Sequence, residues 1–276
     1  SAFLLNRSSD LDVRICGFHT NIVHIQKDDE ILFHSETIAK PTKELTDRSC
    51  LSIAGIVNFA DSVDIQDIKE TIGRQIKYNK AISDEGLNNN WGANIGSTLL
   101  KYYGDDIKVK AKARAAAGSD ARMNGCELPV IINSGSGNQG LTVSMPVIAY
   151  AEEYNIDEDR LYRALVVSNL TAIHQKTRIG RLSAYCGAVS AGCAAACGIA
   201  YLLGESLDVI EHTLTNAVVT VSGIICDGAK ASCAAKIAAS VESGILGYYM
   251  YKNGQQFEAG DGIVGCDIED TINNVG

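Results

Sequence analysis

The chain of 276 residues is acidic, with 24 basic and 33 acidic side chains and a formal net charge of −9. This balance, with no block of lysine or arginine, argues against a nucleic-acid partner, whose binding depends on neutralising phosphates. No basic segment followed by an apolar run opens the sequence, so no secretory signal is predicted and a cytoplasmic location is expected. The length exceeds the usual size of one domain, which predicts two lobes or one large lobe with an appendage.

The first 36 residues are predicted to form strands. Apolar and polar residues alternate over 12–36, with β-branched side chains on both sides of a Lys-Asp-Asp turn. A hairpin of this size is not stable alone and must pack on the rest of the chain or on another molecule. We therefore predict a β-hairpin segment of a small lobe over 1–40 and a helical domain over 41–276. The fold class is mainly α with a small β appendage, that is, α+β.

Helical periodicity dominates the remaining sequence from about Ser62. Helices are predicted over about 62–76, 94–103, 158–175, 181–204, 207–225 and 229–251. The segment 107–125 is ambiguous because it begins like a strand and ends in a loop of small residues. The uncharged run 182–204 is long enough for a membrane span, but it consists mostly of Ala, Gly, Ser and Cys. This composition favours a buried helix of a bundle instead.

A loop without apolar side chains, NSGSGNQG, covers residues 133–140. It follows the apolar run 128–132 and precedes a helix predicted from about Thr142. Backbone N–H groups at a helix N-terminus favour a carboxylate or a phosphate, and a plain turn is the alternative. The loop matches neither the Walker nor the Rossmann pattern. The candidate anion-binding residues are Asn133, Ser134, Gly135, Ser136, Gly137, Asn138 and Gln139.

Nine cysteines occur in a chain expected in a reducing compartment, where disulfides are rare. Cys226 and Cys233 flank an Asp-Gly turn with six residues between them, and Cys186 precedes Cys226 by 40 positions. Three thiolates can hold three irons of a cubane cluster and leave the fourth iron open as a Lewis acid. Structural zinc requires a fourth ligand. The alternative is that these thiols are small apolar residues of a tightly packed core.

The histidines form no recognisable Ser-His-Asp arrangement. Three fall in the predicted hairpin, where a packing role is expected: His19, His24 and His34. His174 lies in a basic patch with Lys176, Arg178 and Arg181, which either faces an anionic substrate or caps a helix C-terminus. His212 is expected to be structural.

Three segments resemble the oxygen-sensitive L-cysteine desulfidase family, which is related to the alpha chain of iron–sulfur L-serine dehydratase. They are RMNGCELPVIINSGSGNQGLTVSMPV at 122–147, GRLSAYCGAVSAG at 180–192 and GIICDGAKASCAAKIA at 223–238. The resemblance covers nearly the whole chain and implies a helical domain like that of the dehydratase alpha chain. It also implies a [4Fe-4S] cluster on Cys186, Cys226 and Cys233. Cys193 has a Gly-Cys-Ala-Ala context similar to the dehydratase ligand segment, but the Tyr-Cys-Gly setting of Cys186 matches the desulfidases better.

The resemblance further implies conversion of L-cysteine and water to pyruvate, ammonia and hydrogen sulfide. The loop 133–140 would hold the substrate carboxylate, with Lys230 as a second contact that also offsets thiolate charge. The spacing of Cys226 and Cys233 is shorter than in the serine enzymes and favours cysteine over serine. L-serine dehydration by the same mechanism is one alternative. A non-catalytic binding or scaffold protein with structural cysteines is another.

Two departures from the family pattern affect the expected activity. Family members carry an N-terminal lobe with a Pro-Ala-Leu-Gly-Cys-Thr-Glu-Pro-like motif, whose cysteine is the expected base, and no such motif occurs here. They also continue beyond the position of Gly276. We therefore expect a fragment trimmed at both ends, inactive alone, whose catalytic base is unknown. Its expected partners are a small amino-acid substrate and either the missing lobe or a second copy, with no membrane.

Overall fold

A computed structural model describes residues 10–16, 21–36, 46–180 and 183–276. The chain divides into two compact units, Ser1–Asp47 and Arg48–Gly276. His19 and Arg181, which the sequence analysis discussed, lie outside the described residues.

The first unit contains a three-stranded antiparallel sheet in the order β1-β2-β3. Its strands are β1 (Leu11–Ile15), β2 (Ile22–Lys27) and β3 (Glu30–His34). Asp28 has a φ of 53° and makes the tight turn between β2 and β3. The predicted hairpin is therefore formed by β2 and β3, and β1 adds a third strand. His24 and His34 contact each other across this hairpin, with ring nitrogens 3.3 Å apart.

The second unit is helical, and its described part contains ten helices. They are α1 (Ile53–Ser62), α2 (Ile65–Asn88), α3 (Ile95–Tyr103), α4 (Ile107–Met123), α5 (Gly137–Glu153), α6 (Glu158–Ile179), α7 (Gly187–Leu202), α8 (Leu207–Val221), α9 (Ser232–Lys252) and α10 (Ile268–Val275). Several begin at a Ser or Asp whose side chain accepts from an N–H of the first turn, which satisfies a donor that has no partner within the helix. The predicted fold class, mainly α with a small sheet, is confirmed.

Helix α7 lies at the centre of the second unit and packs against α5, α6, α8 and α9. Its small residues permit this close packing: Gly192 faces Ser240 of α9, and Gly198 faces Ser168 of α6. A Cβ at either glycine would collide with the facing helix, because these interiors are packed to the density of crystals. Within the described ranges, no helix combines the length and apolar character needed to cross a membrane.

The strand-and-loop reading of 107–125 is wrong, because these residues form α4. Alanine, lysine and arginine are strong helix formers. The helix is enclosed on nearly all sides, with Val109, Ala111, Lys112 and Ala113 all buried. A helix buried all round lacks the one-sided apolar period by which amphipathic helices are recognised.

The predicted helix ends also require correction near the candidate ligands. Helix α7 begins at Gly187 rather than near 181, α8 ends at Val221 rather than near 225, and α9 begins at Ser232 rather than near 229. The reason is that 184–186 and 224–226 are extended and pair with each other, which sequence periodicity does not reveal. Helix α5 begins at Gly137 rather than near Thr142, so half of the predicted loop is helical.

Candidate functional site

The segment 133–136 forms a tight turn that leads directly into α5. The backbone N–H of Asn133 donates to the Ser136 carbonyl at 3.1 Å, and that of Ser136 donates to the Asn133 carbonyl at 2.9 Å. Ser134 and Gly135 have φ values of 48° and 83°, as in a type I′ turn. The Ser136 side chain then caps α5 by accepting from the Gln139 N–H. The first N–H groups of α5 have no acceptor within the helix, which leaves a positive helix end at this position.

Asn79 of α2 holds this helix end in place, and the sequence analysis did not identify it. Its side chain is fully buried, and its Nδ2 donates to the Gly140 carbonyl at 3.1 Å and to the Ser144 hydroxyl at 3.0 Å. Its Oδ1 accepts from the Ile131 N–H at 2.9 Å. The sequence signal that could have indicated such a role is a polar asparagine at a position where the helical period of α2 expects an inward-facing apolar residue.

The turn is also anchored to α6 through amide side chains. The Nδ2 of Asn133 donates to the Asn169 carbonyl and side chain at 3.1 and 3.0 Å. Asn169 in turn exchanges hydrogen bonds with Gln75 of α2 at 2.8 and 3.0 Å. Two buried oxygens of the turn, Asn133 Oδ1 and Ser134 Oγ, have no hydrogen-bond partner among the described residues. Buried polar atoms without partners are costly, so these two are suited to meeting a ligand.

Arg122, in the last turn of α4, lies against the first residue of α5, and the sequence analysis also missed it. Its guanidinium occupies the space beside Gly137, where any Cβ would collide with it. Its Nη1 donates to the Asn138 side chain at 3.2 Å. Burial lowers the pKa of Arg122, and the nearby Cys233 thiol opposes that shift. Arg122 therefore lies between the loop 133–140 and Cys233, one of the candidate cluster ligands.

Cys186 and Cys226 lie on two paired extended segments. The Cys186 N–H donates to the Ile224 carbonyl at 3.1 Å, the Cys226 N–H donates to the Ala184 carbonyl at 2.6 Å, and Tyr185 faces Ile225. Because side chains alternate along extended chains, the two cysteines point to the same face of this ribbon. Cys186 is also the N-cap of α7. The next residue, Gly187, packs against Gln139 of α5, whose Nε2 would lie 2.5 Å from a Cβ at position 187.

Cys233, the second residue of α9, completes the group. Its thiol donates to the Gly228 carbonyl at 3.5 Å, so the Asp-Gly bend carries it back towards the ribbon. Cys186 and Cys233 are buried, whereas Cys226 is exposed. Burial raises the pKa of Cys186, the Val189 and Ala188 N–H groups oppose this, and Cys226 and Cys233 raise it further. Cys226 and Cys233 are therefore both close enough to Cys186 to influence its pKa.

The competing candidate Cys193 has a different environment. It lies two turns inside α7 and is fully buried, and its burial raises the pKa to about 12. A thiol that resists ionisation is a poor metal ligand, because the thiolate is the binding form. Cys186, at the helix start, is the better placed of the two.

Two further lysines, Lys236 and Lys176, lie near the thiols. Lys236 donates to the Ile225 carbonyl at 3.0 Å and pairs with Asp227 at 2.6 Å, and its pKa is raised by that pairing. Lys176, at the end of α6, is half-buried, and its pKa is lowered by burial against the opposing influence of Cys186 and Cys226. Lys230 is exposed in the bend. Lys236 therefore lies beside the thiols in addition to the predicted Lys230, whose backbone carbonyl accepts from the Cys233 N–H at 3.0 Å.

The remaining histidines of the second unit make structural contacts. His174 is buried and pairs with Glu269 of α10 at 2.6 Å. His212 stacks on Tyr251 with ring centroids 4.4 Å apart and lies 3.6 Å from Asp208. Among the described residues of the predicted basic patch, Lys176 lies close enough to Cys186 and Cys226 for both to influence its pKa.

The donor set is compatible with an iron–sulfur cluster. In the described part of the chain, no three side chains of His, Cys, Asp or Glu lie close enough to bind a single metal ion. A cubane cluster takes each thiolate on a different iron, so separated thiols from three segments suit it. Thiolates are the soft ligands that such clusters require, and Arg122, Lys176 and Lys236 supply compensating positive charge.

Comparison of the sequence with known proteins identifies the family of this chain. A family model described as serine dehydratase alpha chain matches residues 20–276. A UPF0597 protein of Desulfitobacterium hafniense is 59% identical over 273 residues, covering 99% of this chain and 64% of that protein. UPF0597 proteins of Lachnoclostridium phytofermentans and Fusobacterium nucleatum are 52% and 46% identical, covering 95% and 98% of this chain and 63% and 65% of their own lengths. The chain thus spans less than two thirds of these relatives. It belongs to the serine dehydratase alpha chain family.

Proposed function

We propose that this chain is the cluster-binding part of an iron–sulfur amino-acid lyase that converts L-cysteine and water to pyruvate, ammonia and hydrogen sulfide. The observation that carries the proposal is that Cys186 and Cys226 lie on one face of the paired segments 184–186 and 224–226, with Cys233 close enough to influence the pKa of Cys186. Membership of the serine dehydratase alpha chain family supports an amino-acid lyase of the iron–sulfur type. We further propose a cytoplasmic location, and as partner either the rest of a longer chain or a second copy.

In this proposal the three cysteines hold a [4Fe-4S] cluster. When bound, such a cluster supplies an iron without a protein thiolate, which acts as a Lewis acid towards a leaving group. The ribbon of 184–186 and 224–226 fixes Cys186 and Cys226 through backbone hydrogen bonds, so these ligands are preorganised. Arg122, Lys176 and Lys236 lower the cost of gathering three thiolates in a partly buried position.

The turn and the first residues of α5 orient the substrate through its carboxylate. Their N–H groups, with the buried oxygens Asn133 Oδ1 and Ser134 Oγ, offer the donors and acceptors that a small amino acid requires. The predicted substrate contacts remain Asn133 to Gln139 and Lys230, which is exposed and would act at the entrance. No described residue of this site is assigned to removal of the α-proton.

L-serine dehydration is the second candidate, because the matching family model is described by that activity. The two reactions differ in the leaving group, sulfide or hydroxide, and use the same recognition of the α-carboxylate. The spacing of Cys226 and Cys233 supports cysteine. Sulfide release from L-cysteine and pyruvate formation from L-serine, measured on a protein of the relatives' full length, would decide between them.

The test of the cluster is the iron and acid-labile sulfide content of anaerobically prepared protein. We expect about four irons per chain, as in a cubane cluster. Replacing Cys186, Cys226 or Cys233 by Ala should remove most of this iron, whereas Cys193→Ala and Cys197→Ala should retain it. Absence of iron after reconstitution, in protein that is folded by circular dichroism, would contradict the proposal and favour a non-catalytic protein with structural cysteines.

A further inference from the structure

Arg122 has hydrogen-bonding capacity that the described residues do not use. Both of its bonds, to Asn138 Oδ1 at 3.2 Å and to Met123 Sδ at 3.8 Å, come from Nη1. None of the described residues accepts a hydrogen bond from Nε or Nη2 of this guanidinium. These two nitrogens form one edge of the guanidinium fork, which matches the two oxygens of a carboxylate.

Arg114 and Lys236 differ from Arg122 in that each is paired with an acid. Arg114, two turns earlier on α4, contacts Glu152 and lies 3.6 Å from Asp84. Lys236, beside the thiols, pairs with Asp227. In the described part of the chain, no carboxylate lies within salt-bridge distance of Arg122. Burying a cation without an anion is costly, so a half-buried arginine in this position indicates a missing negative partner.

The position of Arg122 defines where that partner would lie. The guanidinium rests on Gly137, at the first turn of α5, where a side chain on residue 137 would displace it. Asn138 fixes its orientation through Nη1. A carboxylate bound there would meet the guanidinium and the free N–H groups of the helix start together. Cys233 is close enough to Arg122 to oppose the lowering of its pKa by burial, so one of the candidate thiols lies in the same region.

We propose that Arg122 binds the α-carboxylate of the amino-acid substrate and thereby positions the substrate beside the thiols. This inference rests on the proposed function and names the residue that gives the site its selectivity for free α-amino acids. The competing role is charge balance alone, in which Arg122 only offsets the thiolate of Cys233. That role predicts loss of iron, rather than loss of ligand binding, when the arginine is removed.

The test compares two probes that differ only in the carboxylate, L-alanine and L-alaninamide, neither of which has a leaving group. Binding is measured by titration calorimetry on the anaerobically prepared chain, with iron content determined on the same samples. We expect the wild-type chain to prefer L-alanine by at least about tenfold, as for a charge-assisted hydrogen bond. Arg122→Gln should abolish this preference at unchanged iron content, and Arg122→Lys should restore only part of it because lysine lacks the fork.

Arg114→Gln is the matched control, since it removes an arginine from the same helix outside the site, and it should bind as wild type. The inference is overturned if the wild-type chain shows no preference for L-alanine, if Arg122→Gln keeps it, or if Arg122→Gln loses its iron. Failure of the proposed function is recognised separately, as absence of iron in the wild-type chain. In that case the metal-free chains are titrated: a preference that depends on Arg122 supports the carboxylate site, and its absence overturns it.

Discussion

The side chain of Asn79 donates to the Gly140 carbonyl at 3.1 Å and accepts from the Ile131 N–H at 2.9 Å, so one amide joins the two sides of the loop 133–140. Replacing Asn79 by Ala leaves buried backbone groups without partners. We expect a loss of about 2–4 kcal/mol in the free energy of unfolding, measured by urea denaturation. Asn88→Ala, at the exposed end of the same helix, should change it by less than about 0.5 kcal/mol. Equal effects of the two substitutions would contradict this role.

Gly140 is required because of its distance from the Ile131 backbone. A Cβ at this position would overlap the Ile131 carbonyl, and backbone atoms yield less readily than a flexible side chain. Gly140→Ala is expected to destabilise the fold by about 2–4 kcal/mol. Gly73→Ala in α2 is the control: the nearest atom to its Cβ is the Tyr162 hydroxyl at 3.2 Å, and alanine favours a helix interior. A thermal unfolding midpoint of Gly140→Ala equal to that of wild type would refute the steric argument.

Asp120 makes the stability of the chain depend on pH. It is fully buried, its Oδ2 accepts from the Gly96 N–H at 3.0 Å, and burial raises its pKa to about 6. The folded state therefore binds this proton more tightly than the unfolded state. Its contribution to stability is complete below the unfolded pKa of about 3.9 and is lost as the pH rises through about 6.

Asp120→Asn keeps an oxygen acceptor for Gly96 and removes the titration. Relative to wild type, this variant should gain stability as the pH is raised from about 4.5 to about 7. The measurement is the difference in unfolding free energy between variant and wild type at the two pH values. A difference that does not change with pH would show that Asp120 does not titrate in this range.

The accessibility of the thiols should distinguish the candidate ligands from the core cysteines. In metal-free, reduced protein, exposed Cys226 should react with iodoacetamide, as should exposed Cys50, whereas fully buried Cys193 and Cys197 should react only on unfolding. Incorporation of a cluster should protect Cys226 and leave Cys50 reactive. Peptide mass spectrometry resolves each site. Equal reactivity of Cys226 with and without incorporated iron would exclude it as a ligand.

Local chemistry is sufficient for much of what the sequence analysis predicted. The alternation over 12–36 predicted the hairpin of β2 and β3, and the recurrence of apolar residues after Ser62 predicted α2. The small, polar composition of 133–140 correctly indicated that a helix begins after a tight turn. Such features depend on neighbours within a few residues, whose backbone preferences act wherever the chain is placed.

The start of α7 and the end of α8 were misplaced for the opposite reason. Both are set by the pairing of 184–186 with 224–226, across 40 residues of sequence, which no local period records. The strand-like reading of α4 failed because burial on nearly all sides removed the one-sided pattern of a surface helix.

The sequence by itself determined which residues are candidates for the chemistry of this protein: three cysteines beside turns, and a glycine-rich segment at a helix start. Only the tertiary structure decided that Arg122 rests on Gly137, that Asn79 holds Gly140, and that Lys236 lies beside the thiols. Each of these contacts joins separate elements, or depends on which face of a helix is turned inward. The close packing of the helices sets both, because glycines such as Gly137 and Gly140 let neighbouring side chains and backbone approach where a Cβ would collide.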